Sequence, residues 1–164
     1  MAKLVVLSGV PGSGKSYFSR KLRSTKGSHV YIISSDALRD AIMGNQQDLS
    51  NDTLMWKMYY ELAKVYSADP DGLVVLDATH TSAKYRIEST KPIREYFDSA
   101  TLVLFNRPYD VIKKQNLERD WSVPQDVLDK LYENFEMVTE QDKEFFDRIY
   151  VVENEEVGAI INAL

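Results

Sequence analysis

The chain contains no cysteine, which excludes disulfides and thiolate metal sites. Its only histidines are His29 and His80, too few for a multi-histidine metal centre. Long apolar runs are also missing. Leu4–Leu7 and Leu73–Leu76 fall far short of the roughly 20 residues that a spanning helix needs, so no membrane association is expected. Met1-Ala2-Lys3 enters an apolar run that stops at glycine, without the length or cleavage site of a signal peptide. These absences point to a cytoplasmic protein. Positive charge is in deficit: 20 Lys and Arg against 25 Asp and Glu, a net charge of −5. Such a surface does not attract nucleic acid as a whole, so a nucleic-acid substrate would need a local basic groove. No repeat, linker or low-complexity stretch interrupts the 164 residues, and 44% hydrophobic with 27% charged residues suits a single domain over 1–164.

What is present is an alternation of short β-rich runs with helical segments. Lys3–Ser8 is an apolar run ending at glycine and reads as a buried strand. Val30–Ser34, Leu73–Asp77, Thr101–Phe105 and Arg148–Val152 read as four more. Gly14–Ser24 sets Phe18 and Leu22 on one helical face. Asp36–Met43 is a short helix with Ser34 or Ser35 as cap and Gly44 as stop. Ser50–Ala68 is a longer helix with a stripe of Leu54, Met58, Leu62 and Val65. Its Trp56, Tyr59, Tyr60 and Tyr66 either pack in the core or offer faces for bases. Asp69–Gly72 is a turn, and Thr81 or Ser82 caps a helix that Pro92 ends or kinks. Tyr109–Arg119 is helical, and Val123-Pro124 opens one further helix through about Phe146. Strands alternating with helices imply parallel pairing, hence a three-layer α/β/α sandwich around a five-stranded parallel sheet. Ligands are expected at the C-terminal strand ends.

Gly9-Val10-Pro11-Gly12-Ser13-Gly14-Lys15-Ser16 fits G-x-x-x-x-G-K-[ST] between a strand and a helix, the context in which the motif binds phosphate. Its glycines let the backbone wrap an anion with inward N–H groups, and the helix N-terminus adds a favourable dipole. Lys15 suits the β- and γ-phosphates of ATP, and the Ser16 hydroxyl suits Mg²⁺. A nucleotide-dependent switch would share this loop, so the acceptor side has to discriminate.

Asp36 follows the second strand, with Arg39 three residues on along the same helical face. The pair reads either as a proton-accepting carboxylate beside an arginine for an acceptor phosphate, or as helix-end charge and a surface ion pair. Asp77 closes the third strand after four apolar residues, like a Walker B acid. It can hold Mg²⁺ through water, orient Arg39, or cap the strand end. Thr79 and His80 in the next loop, and Arg86 on the next helix, are weaker substrate contacts by position. Arg119 lies in a basic helical stretch and reads either as a mobile arginine closing over the transferring phosphoryl group or as part of a solvated face.

Taken together, G-V-P-G-S-G-K-S, S-S-D-A-L-R, L-D-A-T-H and Q-N-L-E-R-D-W-S-V-P-Q-D-V-L resemble the kinase domain of phage-type polynucleotide 5′-hydroxyl kinases. These belong to a wider P-loop kinase group that includes zeta-toxin-like enzymes. The resemblance spans roughly residues 3–136. It implies that Lys15 and Ser16 hold ATP phosphates and metal, that Asp36 is the general base, and that Arg39 engages the acceptor-strand phosphate. Asp77 then supports that site, and Arg119 is the arginine of a helical lid over roughly residues 107–136. This sequence departs from the family in two places. The stretch between Arg119 and Val123-Pro124 is one residue shorter, and Gln115 stands where a further arginine is common, with Lys113 or Lys114 nearby. No D-x-D-x-T signature is present, so 3′-phosphatase activity is not expected. The resemblance implies transfer of the γ-phosphate of ATP to a polynucleotide 5′-hydroxyl in DNA or RNA. The alternative acceptors are a hydroxymethylated pyrimidine in DNA, a nucleoside or another small alcohol.

Overall fold

A run such as Leu4-Val5-Val6-Leu7 presents apolar side chains to both sides of an extended strand, so it is stable only where both sides are covered. In the computed structural model, which describes residues 1–154 and 156–164, this run lies in the central strand β1 (Lys3–Ser8). Strands β2 (Val30–Ser34), β3 (Leu73–Asp77), β4 (Ser99–Phe105) and β5 (Arg148–Val152) complete a parallel sheet in the order β2-β3-β1-β4-β5. Leu4 and Val6 face a core that includes Met55, Tyr59, Ile93 and Phe97, whereas Val5 and Leu7 face one built on Phe18, Leu22, Val157 and Ile161. The two-sided burial makes this a three-layer α/β sandwich.

The helices are α1 (Lys15–Lys26), α2 (Ser35–Met43), α3 (Asp52–Tyr66), α4 (Ala83–Thr90), α5 (Tyr109–Leu117), α6 (Gln125–Glu133), α7 (Glu140–Phe145) and α8 (Gly158–Ala163). Ser34 Oγ caps α2 by accepting from Ala37 N, and Ser82 Oγ caps α4 by accepting from Tyr85 N. Helices α5 and α6 form a hairpin over the loop after β1. Val10, Ile112 and Leu128 make a small separate core beneath it, and the rings of Tyr109 and Tyr132 lie 4.3 Å apart. Asn116 ties the hairpin's turn, donating to Val123 O and accepting from Val123 N. Among the described residues, no helix is long and apolar enough to cross a membrane.

Three sequence expectations need correction. The segment after Pro124 is two helices, because residues 134–139 break the path and Thr139 starts α7 with a reciprocal capping box to Asp142. The buried stripe of α3 is Met55, Tyr59 and Ala63, one position on from the expected one. Leu54, Met58 and Val65 are 53%, 42% and 64% exposed. Two adjacent stripes compete for the sheet, and the one carrying Tyr59 removes more apolar area from water. Strand β4 begins at Ser99 instead of Thr101, because Ser99 and Ala100 extend the ladder to Lys3 and Leu4.

Candidate active site

Parallel strands deliver their C-terminal ends to one edge, and here three of them deliver acids and a glycine loop together. β1 runs into residues 9–14 and α1, β2 ends beside Asp36 at the start of α2, and β3 ends on Asp77. Asp77 is in register with Leu7 of β1 and Ser34 of β2, which fixes it between the glycine loop and the start of α2. The resulting cavity, about 620 Å³, is lined by Gly12, Gly14, Lys15 and Ser16 on one side and by Asp36, Arg39 and Trp56 on the other. Asp77 and Thr79 form its floor, and Gln115 and Arg119 reach it from the α5–α6 hairpin.

The glycines have distinct local tasks. Gly12 has φ +85°, and a Cβ there would stand 2.6 Å from Ile112 O and 2.9 Å from Asn116 N, so only glycine lets α5 lie against the loop. Gly14, at φ +102°, turns the chain into α1. Lys15 Nζ donates to Gly9 O at 2.8 Å and to Val10 O at 3.3 Å, folding back along the loop. Burial lowers the pKa of the Lys15 ammonium and Arg119 adds to this, while Asp77 and Asp36 oppose it. Burial likewise raises Asp77, with Asp36 adding and Lys15 and Arg119 opposing. Asp77 and Lys15 therefore stabilise one another's charged form within a site that disfavours both.

Arg39, on the wall opposite the glycine loop, is held by two carboxylates. Its Nε donates to Asp52 Oδ1 at 2.6 Å, Nη2 to Asp52 Oδ2 at 3.1 Å, and Nη1 to Asp36 Oδ1 at 3.1 Å. The guanidinium carbon sits 5.7 Å from the centre of the Trp56 ring, whose Nε1 donates to Asp52 Oδ2 at 3.0 Å. From the opposite side, Arg119 Nη2 approaches Asp36 Oδ2 at 3.8 Å. Asp36 thus lies between two arginines with half its side chain still open to solvent.

Four of the residues expected here lie outside the cavity wall. Gly9 and Ser13 shape the loop from beneath: Gly9 N donates to Thr79 O, and Ser13 is buried. His80, at φ +42°, is buried with Nδ1 2.6 Å from Leu7 O, and burial lowers its pKa to about 4. Arg86 is corrected outright as a substrate contact. It is 0% exposed, and its guanidinium donates to both carboxylate oxygens of Asp142, to Ser8 Oγ and to the carbonyls of His80, Glu136 and Met137. No N–H is left for a ligand. Conversely, Asp52 escaped the sequence reading. Its one signal was the i, i+4 spacing to Trp56 at the start of α3. Tyr17 and Arg20, on the face of α1 turned to the cavity, escaped too.

A glycine loop with its lysine and serine stands opposed across one cavity to an acid–arginine pair, an arrangement suited to a nucleotide phosphate on one side and a second ligand on the other. The chain belongs to the AAA_33 family of AAA domains, whose profile matches residues 4–138. It is 24% identical over 145 residues to an L-seryl-tRNA(Sec) kinase of Methanococcus maripaludis, across 81% of this chain and 52% of that protein, so it spans about half the length of this curated relative. Among solved structures it is similar to Chaetomium thermophilum Kti12 in complex with ADP-AlF3, with TM-score 0.71, 15% identity and 98% and 94% of the two chains covered. It is also similar to a chain of the Pnkp1/Rnl/Hen1 complex, with TM-score 0.62, 25% identity and 69% and 38% of the two chains covered.

Proposed function

We propose that the protein transfers the γ-phosphate of ATP to the 5′-hydroxyl of a polynucleotide. The observation that carries this reading is Asp36, held across the cavity from Lys15 with Arg39 hydrogen-bonded beside it. Asp36 takes the proton of the incoming hydroxyl as its oxygen attacks the γ-phosphorus in line and the bond to the β-phosphate oxygen breaks. The loop N–H groups, Lys15 and Arg119 hold the charge that spreads over the transferring oxygens. Arg39 anchors the phosphate next to the acceptor hydroxyl. Binding ATP turns Lys15 from the carbonyls of Gly9 and Val10 toward the phosphates. Among the described residues, no cluster of three or more His, Asp or Glu could cage a metal. The Ser16 hydroxyl and the Asp77 carboxylate are hard oxygen donors that both line the cavity and suit Mg²⁺ shared with nucleotide phosphates and water. That ion would supply charge neutralisation at the phosphates.

The resemblance to polynucleotide kinases supports a nucleic-acid acceptor, as does the likeness to the Pnkp1/Rnl/Hen1 chain. The cavity is nevertheless not the local basic groove that an extended nucleic-acid substrate would need. Its four bases, Lys15, Arg20, Arg39 and Arg119, face five acids, Asp36, Asp40, Asp77, Glu118 and Asp120. This balance favours a grip on the strand terminus alone. It also favours the second reading, a nucleoside or other small alcohol as acceptor. Labelled ATP offered with 5′-hydroxyl DNA and RNA, DNA carrying hydroxymethylated pyrimidines, free nucleosides and no acceptor decides between them. The first reading requires transfer to a 5′-hydroxyl end, and exclusive labelling of nucleosides overturns it.

A further inference from the structure

Arg39 has two carboxylates to choose from, and the geometry divides it unequally. Asp52 takes both Nε and Nη2, while Asp36 receives a single bond from Nη1. A guanidinium beside one carboxylate favours the bidentate fork, so without Asp52 the fork would close on Asp36. Asp52 is itself fixed. Trp56 Nε1 pins Oδ2, and the indole carries the guanidinium against its face. Trp56 is in turn wedged edge-on against the fully buried Tyr59, 4.9 Å between ring centres, so the brace is anchored in the core. Three of the five guanidinium N–H groups are spent, which leaves two for the cavity.

We infer that Asp52, backed by Trp56, is a positioning residue that holds Arg39 away from a closed pair with Asp36 and aims its two remaining N–H groups at an anionic group of the acceptor. This rests on the acceptor-side reading of Asp36 and Arg39 given above. It adds a residue that touches neither substrate and acts through Arg39. Asp52→Asn keeps the size of the side chain and an oxygen for Trp56 Nε1, but it removes the charge and one of the two acceptors that face Arg39.

The test is two-substrate kinetics on the whole chain with the acceptor that the panel identifies. Asp52→Asn should raise KM for the acceptor on the order of tenfold and leave KM for ATP within about twofold. In an Arg39→Ala background the same substitution should add less than about twofold, because its route is already cut. Equal increases in both KM values, an unchanged acceptor KM, or effects that multiply in the double variant would each overturn the role. An acceptor KM indifferent to Arg39→Ala refutes the acceptor-side reading itself, which separates the two failures. A readout free of turnover accompanies the kinetics. In ¹⁵N-arginine spectra, the Nε–H resonance that vanishes in Arg39→Ala should be protected from solvent exchange in the parent and unprotected in Asp52→Asn. Equal protection in both proteins overturns the proposal.

Discussion

Arg119 Nη2 and Asp36 Oδ2 stand 3.8 Å apart, joining the α5–α6 hairpin to the acid at the end of β2. At this distance the two groups form an ion pair across the cavity, so a phosphoryl group that enters between them must part the pair and can then be met by each. Replacement of Arg119 by alanine should lower kcat by on the order of 10²-fold or more, through loss of charge stabilisation in the transition state. Steady-state rates at saturating ATP and acceptor check this, and a loss confined to KM for ATP would make Arg119 a ground-state ligand only.

Lys15 and Asp36 should separate in a binding assay. Lys15→Ala should abolish turnover and weaken ATP binding. Asp36→Ala should slow transfer by on the order of 100-fold while ATP affinity stays within about twofold. Calorimetric titration of both variants with ATP, beside their rates, is the measurement. Full activity in Asp36→Ala would remove it as the base.

Salt dependence should be shallow for a nucleic-acid acceptor. If one phosphate is gripped, raising monovalent salt from about 50 to 200 mM should weaken single-strand binding only about threefold. A fall of a hundredfold or more would require a phosphate track outside the balanced cavity.

Arg86 should matter for stability and not for substrate. Its pair with Asp142 has both side chains at 0% exposure, so Arg86→Met strands a buried carboxylate and should cost about 3–5 kcal/mol in urea unfolding. Asp142→Asn in the same background should restore part of that loss. The folded fraction should keep the parent's KM for acceptor.

His80 should make the fold acid-sensitive. Its imidazole titrates near pH 4 when folded against an ordinary 6.5, so the unfolded chain binds the proton first as pH falls. The stability it contributes is complete above pH 6.5 and is lost progressively down to about pH 4, at most about 3 kcal/mol in all. His80→Asn, which tolerates the positive φ, should flatten this part of the stability profile between pH 4 and 6.5.

The sheet was legible because parallel strands buried on both faces are short, apolar and bounded by turn residues. Four of the five strands begin and end where the pattern predicts. The glycine loop was legible because its spacing encodes its geometry. What escaped depended on pairs distant in sequence. Nothing local marks Arg86 as buried, since its partner lies 56 residues on. Asp52 likewise looks like any helix-initial acid until Arg39, 13 residues earlier, folds against it. The α3 stripe misled because helical spacing fits either of two neighbouring faces, and only the volume of Tyr59 chooses. The Thr139–Asp142 box could have been read from T-x-x-D, but an unbroken helical pattern hid it.

The contacts around Arg86 also tie down one end of the neighbouring hairpin. Glu136 N donates to Thr81 O, its carboxylate accepts from Ala83 N, and its carbonyl accepts from Arg86. At the other end, Asn106 N donates to Val152 O. A span tied to the body at both ends, with Val10, Ile112 and Leu128 packed beneath it, is fixed at three places along its length. A substitution at either end tie should loosen the hairpin's seat on the glycine loop without altering a residue that lines the cavity.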